Sequence, residues 1–215
     1  MDIKNVEQCY SKVASKYTES FFDELKNKPL DRYLLDVFCN QIRIGGKVCE
    51  VGCGPGHVAR YIKDKEIDIF GLDLSEGMIK NARKRNPDIE FLKGNMLELE
   101  LKVESLAGAV SYYSIVNFTL EEVKKILQNL WTILEDEGIL FLGFHEGDEV
   151  LNLSNWFEEE MQLDFTFFSI DDIVQILEEQ NYKIIEALTR YPYEDCEYMS
   201  PKGYIICKKA KDKKL

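Results

Sequence analysis

The chain is predicted to fold as an α/β protein with a parallel sheet covered by helices on both faces, and three observations predict it. Apolar strand candidates at 47–51, 68–72, 89–92, 109–113 and 138–144 alternate with helical stretches near 57–64, 76–86 and 120–135. That order builds a sheet from strand-helix-strand units. A glycine loop, Gly52-Cys53-Gly54-Pro55-Gly56, joins the first strand to its helix, at the place where α/β folds bind nucleotides. The length of 215 residues suits one domain, able to bury roughly 70% of the surface that its unfolded form exposes.

The elements follow in order. Val6, Tyr10, Val13 and Tyr17, then Leu30, Tyr33, Leu34, Val37 and Phe38, recur at helical spacing within 5–42. Pro29 is placed to start the second of these two helical pieces. Gly45-Gly46 punctuates the entry to the first strand, and Glu135-Asp136-Glu137-Gly138 turns the chain before the fifth. Residues 146–168 are rich in acids and aromatics without a clean period, which marks them as a substrate cover. Ser169 with Asp172 reads as a capping box for a helix over 170–179, and strands follow at 182–189 and 203–208. The resulting division is a helical cap over 1–44, a ligand-binding core over 45–145, a substrate-side lid with the last two strands over 146–208, and a basic tail over 209–215.

Composition narrows the function. Asp and Glu outnumber Lys and Arg by 39 to 27, a formal charge of −12, and such a surface repels a phosphate backbone. Nucleic acid is disfavoured as a partner. The basic cluster Lys208 to Lys214 is expected to be a solvated tail. Six cysteines form no C-x-x-C pair and only two histidines are present, so no metal pattern can be assembled and reduced thiols are expected. The first residues hold no apolar leader, and no apolar run approaches the roughly 20 residues of a membrane span. A soluble, cytoplasmic protein is the expectation, with its oligomeric state open.

The glycine loop selects the ligand class. A dinucleotide fingerprint needs a glycine at 57, where His57 stands, and a P-loop needs a Gly-Lys-Ser/Thr ending that Gly56-His57-Val58 lacks. What fits is E-x-G-x-G-x-G from Glu50 to Gly56, followed by the apolar strand Ile69-Phe70-Gly71-Leu72 that ends in Asp73. On these residues the chain resembles the class I S-adenosylmethionine-dependent methyltransferases, well over 45–145 and more loosely to 208. The resemblance implies a Rossmann-like doubly wound sheet of seven mostly parallel strands with the last antiparallel. It also implies S-adenosyl-L-methionine as cofactor, with Gly52, Cys53, Gly54 and Gly56 along its methionine part and Glu50 near its amino group. Asp73 would take both ribose hydroxyls, since an ionised carboxylate accepts two charge-assisted bonds from a vicinal diol. Leu74 and Met78 would sandwich the adenine, Asn95 would accept from its amino group where the family usually has aspartate, and Met96 would offer its backbone amide. Tyr17, with Tyr10 on the same helix, resembles tyrosines that close over the cofactor.

Methyl transfer is an in-line displacement in which holding the reacting atoms collinear and dry is the main task, so an acid or base is optional. His145 is the best candidate base, since it should emerge at the carboxyl edge after the apolar run Ile139 to Phe144. Tyr113, which would also touch the cofactor, and Asn117 follow the fourth strand. Many small-molecule members carry histidine near 117. Trp156, Arg190 and Tyr193 are the candidate substrate contacts, the arginine for a carboxylate or phosphate. The expected function is methyl transfer to O, N or C of a small molecule. The alternatives are a protein or tRNA methyltransferase, a non-catalytic cofactor-binding protein, and an NAD-dependent oxidoreductase.

Overall fold

A computed structural model describes residues 2–211. Its centre is a seven-stranded sheet in the order β3-β2-β1-β4-β5-β9-β8. The strands are β1 (Lys47–Val51), β2 (Asp68–Asp73), β3 (Glu90–Lys93), β4 (Leu106–Tyr112), β5 (Leu134–His145), β8 (Tyr182–Arg190) and β9 (Lys202–Lys209). Only β9 runs against its neighbours, pairing antiparallel with both β5 and β8. The doubly wound sheet with an antiparallel last strand is thus as the resemblance implied.

Side chains from the two faces of the sheet define two cores. Val48, Ile69 and Val110 pack with α2 (Pro29–Gln41), α3 (His57–Lys63) and α4 (Glu76–Arg85). Cys49, Val51, Ala109 and Leu140 pack with α5 (Leu120–Ile133) and α6 (Ile170–Glu179) on the other face. Central strands buried on both faces are why β1 and β4 read as continuous apolar runs. Pro29 opens α2 at its first turn, as its fixed φ favours.

A smaller third core lies over the carboxyl edge. Helix α1 (Ile3–Phe21) packs Val6, Cys9 and Val13 on Met161 and Leu163 of a hairpin, β6 (Val150–Trp156) and β7 (Glu159–Thr166). Asn5 Nδ2 donates to the Gln162 carbonyl at 2.6 Å, and Lys16 reaches the Phe157 carbonyl at 2.8 Å, so helix and hairpin form one cover. The segment read as aperiodic is therefore a two-stranded ribbon. Helix α2, which the sequence grouped with the cap, belongs instead to the layer on the sheet.

Two local readings need correction. Ser169 is the N-cap of α6 by its extended dihedrals but makes no side-chain bond. Asp172 is one methylene shorter than the glutamate a capping box uses, and the complete box stands at Thr119–Glu122 of α5. The basic tail also begins later than expected, because Lys208 and Lys209 are in β9. Lys209 is buried, its ammonium 3.9 Å from the Trp131 ring centroid and donating to the Leu134 carbonyl. Residues 212–215 of that tail lie outside the described residues.

Candidate functional site

The sheet order reverses between β1 and β4, and the crevice outside their carboxyl ends is where open α/β sheets bind ligands. Two loops form it. Gly52, with φ +68°, sits where a Cβ would stand 2.3 Å from the Ser114 Cβ, so only glycine lets the two loops meet. Gly54, with φ +50°, faces open space bounded by Tyr17 Cε1 at 3.8 Å from a Cβ placed there. The backbone of the loop therefore lines a narrow cleft of about 90 Å³. Gly56 supplies the left-handed N-cap of α3.

Asp73 ends β2 beside this loop. One carboxylate oxygen accepts from Gly54 N and the other from Ser75 N, both at 2.8 Å. Each oxygen has two acceptor positions, so one per oxygen is left for a diol. Burial raises the Asp73 pKa to about 6, against the two backbone donors. Glu50 is buried in the same wall and accepts from Ala59 N at 2.8 Å, and burial raises its pKa as well. A cleft walled by two buried carboxyl groups suits a cationic ligand.

Other cleft residues are among those the sequence singled out. Leu74, Met78, Asn95, Met96, Cys53, Tyr17, Tyr113 and Asn117 all line it. Asn95 Oδ1 accepts from Leu97 N at 3.0 Å, which holds its amide at the end of β3. Cys53 is buried, and burial raises its thiol pKa well above the ordinary value, so it is packing rather than a reactive thiolate. Asn117 donates to the Asp164 carbonyl at 2.9 Å and so ties the loop after β4 to the hairpin.

Beside the cleft is a larger chamber of about 340 Å³ under α1 and the hairpin. Tyr10, Tyr17, Glu24 and Tyr113 line both spaces. Trp156, Phe165, Phe167 and Phe21 give the chamber an aromatic wall, and His145 emerges from β5 into it. Tyr113 holds a left-handed φ of +52°, and its hydroxyl lies 2.7 Å from that of Tyr204. A bulky residue there costs of order 1–3 kcal/mol, a cost that clusters at functional sites.

Arg190 and Tyr193 are elsewhere. The Arg190 guanidinium is buried against Asp31 at 2.9 Å and bonded to Glu197, and it lies over the Tyr193 ring at 4.2 Å. Tyr193 accepts from Leu30 N. Both hold the fold here: the guanidinium is taken up by Asp31 and Glu197, and the Tyr193 hydroxyl holds the start of α2. The sequence reading passed over the charged residues that do line the chamber: Glu24, Lys28, Glu197 and Lys202. Lys28 bridges Glu24 at 2.7 Å and Glu197 at 3.4 Å, and Glu24 also contacts His57 Nε2 at 2.8 Å. No periodicity or local motif marks these residues as a cluster, since they come from two distant segments, 24–28 and 197–202.

Burial opposes ionisation of Glu24, but its bonds to His57 and Lys28 outweigh it and hold the pKa at about 2. Burial is likewise outweighed at Glu197 by Arg190, again to about 2. Both values lie below the ordinary 4.5. The unfolded chain therefore binds these protons first as pH falls, and stability present above about 4.5 is lost between there and about 2. Thermal unfolding followed from pH 5 to 2 is expected to show this decline, and it should be shallower in Glu197→Gln.

Residues 48–138 match a family model described as a methyltransferase domain. That stretch, less than half of the chain, carries a methyltransferase domain. It is 26% identical over 102 residues to a demethylmenaquinone methyltransferase of Paenarthrobacter aurescens, covering 47% of this chain and 40% of that one. It is 30% identical over 101 residues to the ubiquinone/menaquinone biosynthesis C-methyltransferase UbiE of Campylobacter jejuni, covering 44% and 42%. The chain thus spans less than half the length of these curated relatives. Among solved structures, a DhpI–SAH complex superposes with a TM-score of 0.75 at 15% identity, covering 97% of each chain. In the methyltransferase domain the residues of the cleft fit S-adenosylmethionine: a diol acceptor with free lone pairs at Asp73, a bare backbone at Gly54, and apolar Leu74 and Met78.

Proposed function

We propose that the protein transfers the methyl group of S-adenosylmethionine to an O, N or C atom of a small, largely apolar molecule. The observation that carries this is the adjacency of the two spaces: the cleft under Asp73 and the aromatic chamber share Tyr10, Tyr17, Glu24 and Tyr113 as their common wall. When bound, the cofactor supplies an electrophilic methyl group on a sulfonium. The chain supplies the rest. Asp73, Glu50 and the glycine loop fix the donor, the tyrosines at the junction offer aromatic faces that attract a sulfonium, and α1 with the hairpin keeps water out.

A protein or tRNA acceptor is disfavoured by the cover. Helix α1 and the hairpin pack on each other over the chamber through apolar contacts and backbone-directed bonds, and the space of about 340 Å³ beneath them is of small-ligand size. The quinone methyltransferases among the relatives act on molecules of the apolar kind this chamber suits.

Calorimetric titration with S-adenosylmethionine, S-adenosylhomocysteine and NAD tests the cofactor half. Micromolar affinity for the two sulfur compounds and none for NAD is expected. Tight NAD binding with silence from both sulfur compounds would refute it. Labelled methyl transfer into a panel of phenols, quinols and amines tests the other half.

A further inference from the structure

The chamber contains a polar chain that the methyl-transfer reading leaves unused. Lys202 is buried, and its ammonium donates to the Tyr198 carbonyl at 2.7 Å, the Ser200 carbonyl at 2.6 Å and Ser200 Oγ at 3.1 Å. An ammonium has three protons and no lone pair, so all its donors are spent and Ser200 Oγ is the acceptor in the third bond. Ser200 Oγ also lies 2.8 Å from His145 Nδ1, and donation of the hydroxyl proton to that nitrogen makes Nδ1 the acceptor. A neutral imidazole that accepts at Nδ1 carries its proton on Nε2. That nitrogen has no partner among the described residues.

The ring is held tightly in this orientation. It stacks on Phe167 with centroids 5.0 Å apart and planes at 17°, and it meets Tyr113 at 5.2 Å and Tyr198 at 6.0 Å. Burial, then the positive charges of Lys202 and Lys28, lower its pKa to about 3, so it stays neutral near pH 7. In that tautomer Nε2 bears the proton and the Nδ1 lone pair faces Ser200, which makes the ring a donor in place of the general base expected from the sequence.

We propose that His145 is a fixed hydrogen-bond donor that binds an anionic oxygen, a phenolate or enolate, on a flat apolar methyl acceptor, with Ser200 and Lys202 as positioning residues. This rests on the reading of the chamber as the acceptor site. Its charge pattern gives the sign. Lys28 and Arg190 each contact buried carboxylates, whereas the hydrogen bonds of Lys202 all end on uncharged oxygens. Glu24 and Glu197 face Lys28 and Arg190. A buried ammonium without its own carboxylate favours a counter-anion nearby, and its charge polarises the Ser200–His145 chain toward donation. The aromatic wall of Trp156, Phe165 and Phe167 suits a flat ring. An oxygen that arrives ionised attacks the methyl carbon with its own lone pair as the carbon–sulfur bond breaks toward sulfur. No proton is left to remove, so no base is needed.

4-Nitrophenol tests the ligand directly, because its phenolate absorbs visible light and its phenol does not. With the full chain and no cofactor, the bound probe is expected to ionise about one pH unit lower than free probe, a tenfold preference for the phenolate. His145→Phe should abolish the shift, and Lys202→Met and Ser200→Ala should reduce it while the phenol form still binds. Failure of the phenolate to bind wild type, or an equal shift in His145→Phe, would overturn the proposal. Nitrogen-15 NMR gives a second reading that needs no probe. The His145 signals should report the Nε2–H tautomer without titration from about pH 5.5 to 8, and Ser200→Ala should release it, whereas an Nδ1–H ring in wild type would overturn the proposal. Both measurements are made without S-adenosylmethionine, so failure of the cofactor assignment in calorimetry is a separate result.

Discussion

Replacing Asp73 by alanine is expected to weaken S-adenosylmethionine binding by about two to four orders of magnitude. Two charge-assisted bonds to the ribose are lost at about 1.5–3 kcal/mol each, and each 1.4 kcal/mol is tenfold. The change also removes the acceptor for Gly54 N and Ser75 N, so the loop itself loosens. Asp73→Asn separates the two effects, since it keeps an acceptor oxygen without the charge. The pH dependence adds an independent check. Burial places the Asp73 pKa at about 6, and the ionised form is the one that accepts both hydroxyl protons. Affinity should therefore fall as pH drops below about 6, approaching tenfold per unit, and this component should vanish in Asp73→Asn. Calorimetry at several pH values measures both, and an unchanged dissociation constant in Asp73→Ala would remove the carboxylate from the cofactor site.

Asp73 was legible because its surroundings are local: a strand, a carboxylate at its end and a glycine loop, all within 24 residues from Glu50 to Asp73. Backbone chemistry dictates such a motif, so sequence alone carries it. The place of Arg190 is not legible, for the opposite reason. Its partner Asp31 is 159 residues away, and Glu197, seven residues on, carries no local pattern that turns it onto the guanidinium. The hairpin is an intermediate case. Met161, Leu163 and Phe165 do alternate, and the structure turns them onto α1 and the chamber. The matching strand breaks register between Leu153 and Asn155, however, and the ribbon's other side is solvent. The period is thus too short to stand out. Ser200 and Lys202 carry no pattern at all, because their meaning lies in β9 passing beside the end of β5.

Replacing Asp31 by alanine is expected to have the largest effect on stability, a loss of about 3–5 kcal/mol, as for breaking a buried ion pair by removing one partner. Asp31 is fully buried. It accepts from Tyr112 and Tyr204 hydroxyls at 2.7 Å each and from Arg190 Nε and an Nη at 3.1 and 2.9 Å. Without it, two hydroxyls and half of a guanidinium are left in a dry interior. For a chain of this size a kcal/mol moves the melting temperature by about 2–4 °C, so the midpoint should fall by about 10 °C. Asp31→Asn keeps an acceptor oxygen for the tyrosine hydroxyls and should recover part of the loss. Thermal unfolding of both variants measures this, and an Asp31→Asn variant no more stable than Asp31→Ala would show that the lost hydrogen bonds are not the source. The site feels the same change. Asp31 anchors the Tyr204 hydroxyl, which in turn meets the Tyr113 hydroxyl at the junction of cleft and chamber. A tyrosine held at positive φ keeps its place only while its surroundings over-determine it, so turnover should fall in Asp31→Ala even at temperatures where the variant is folded.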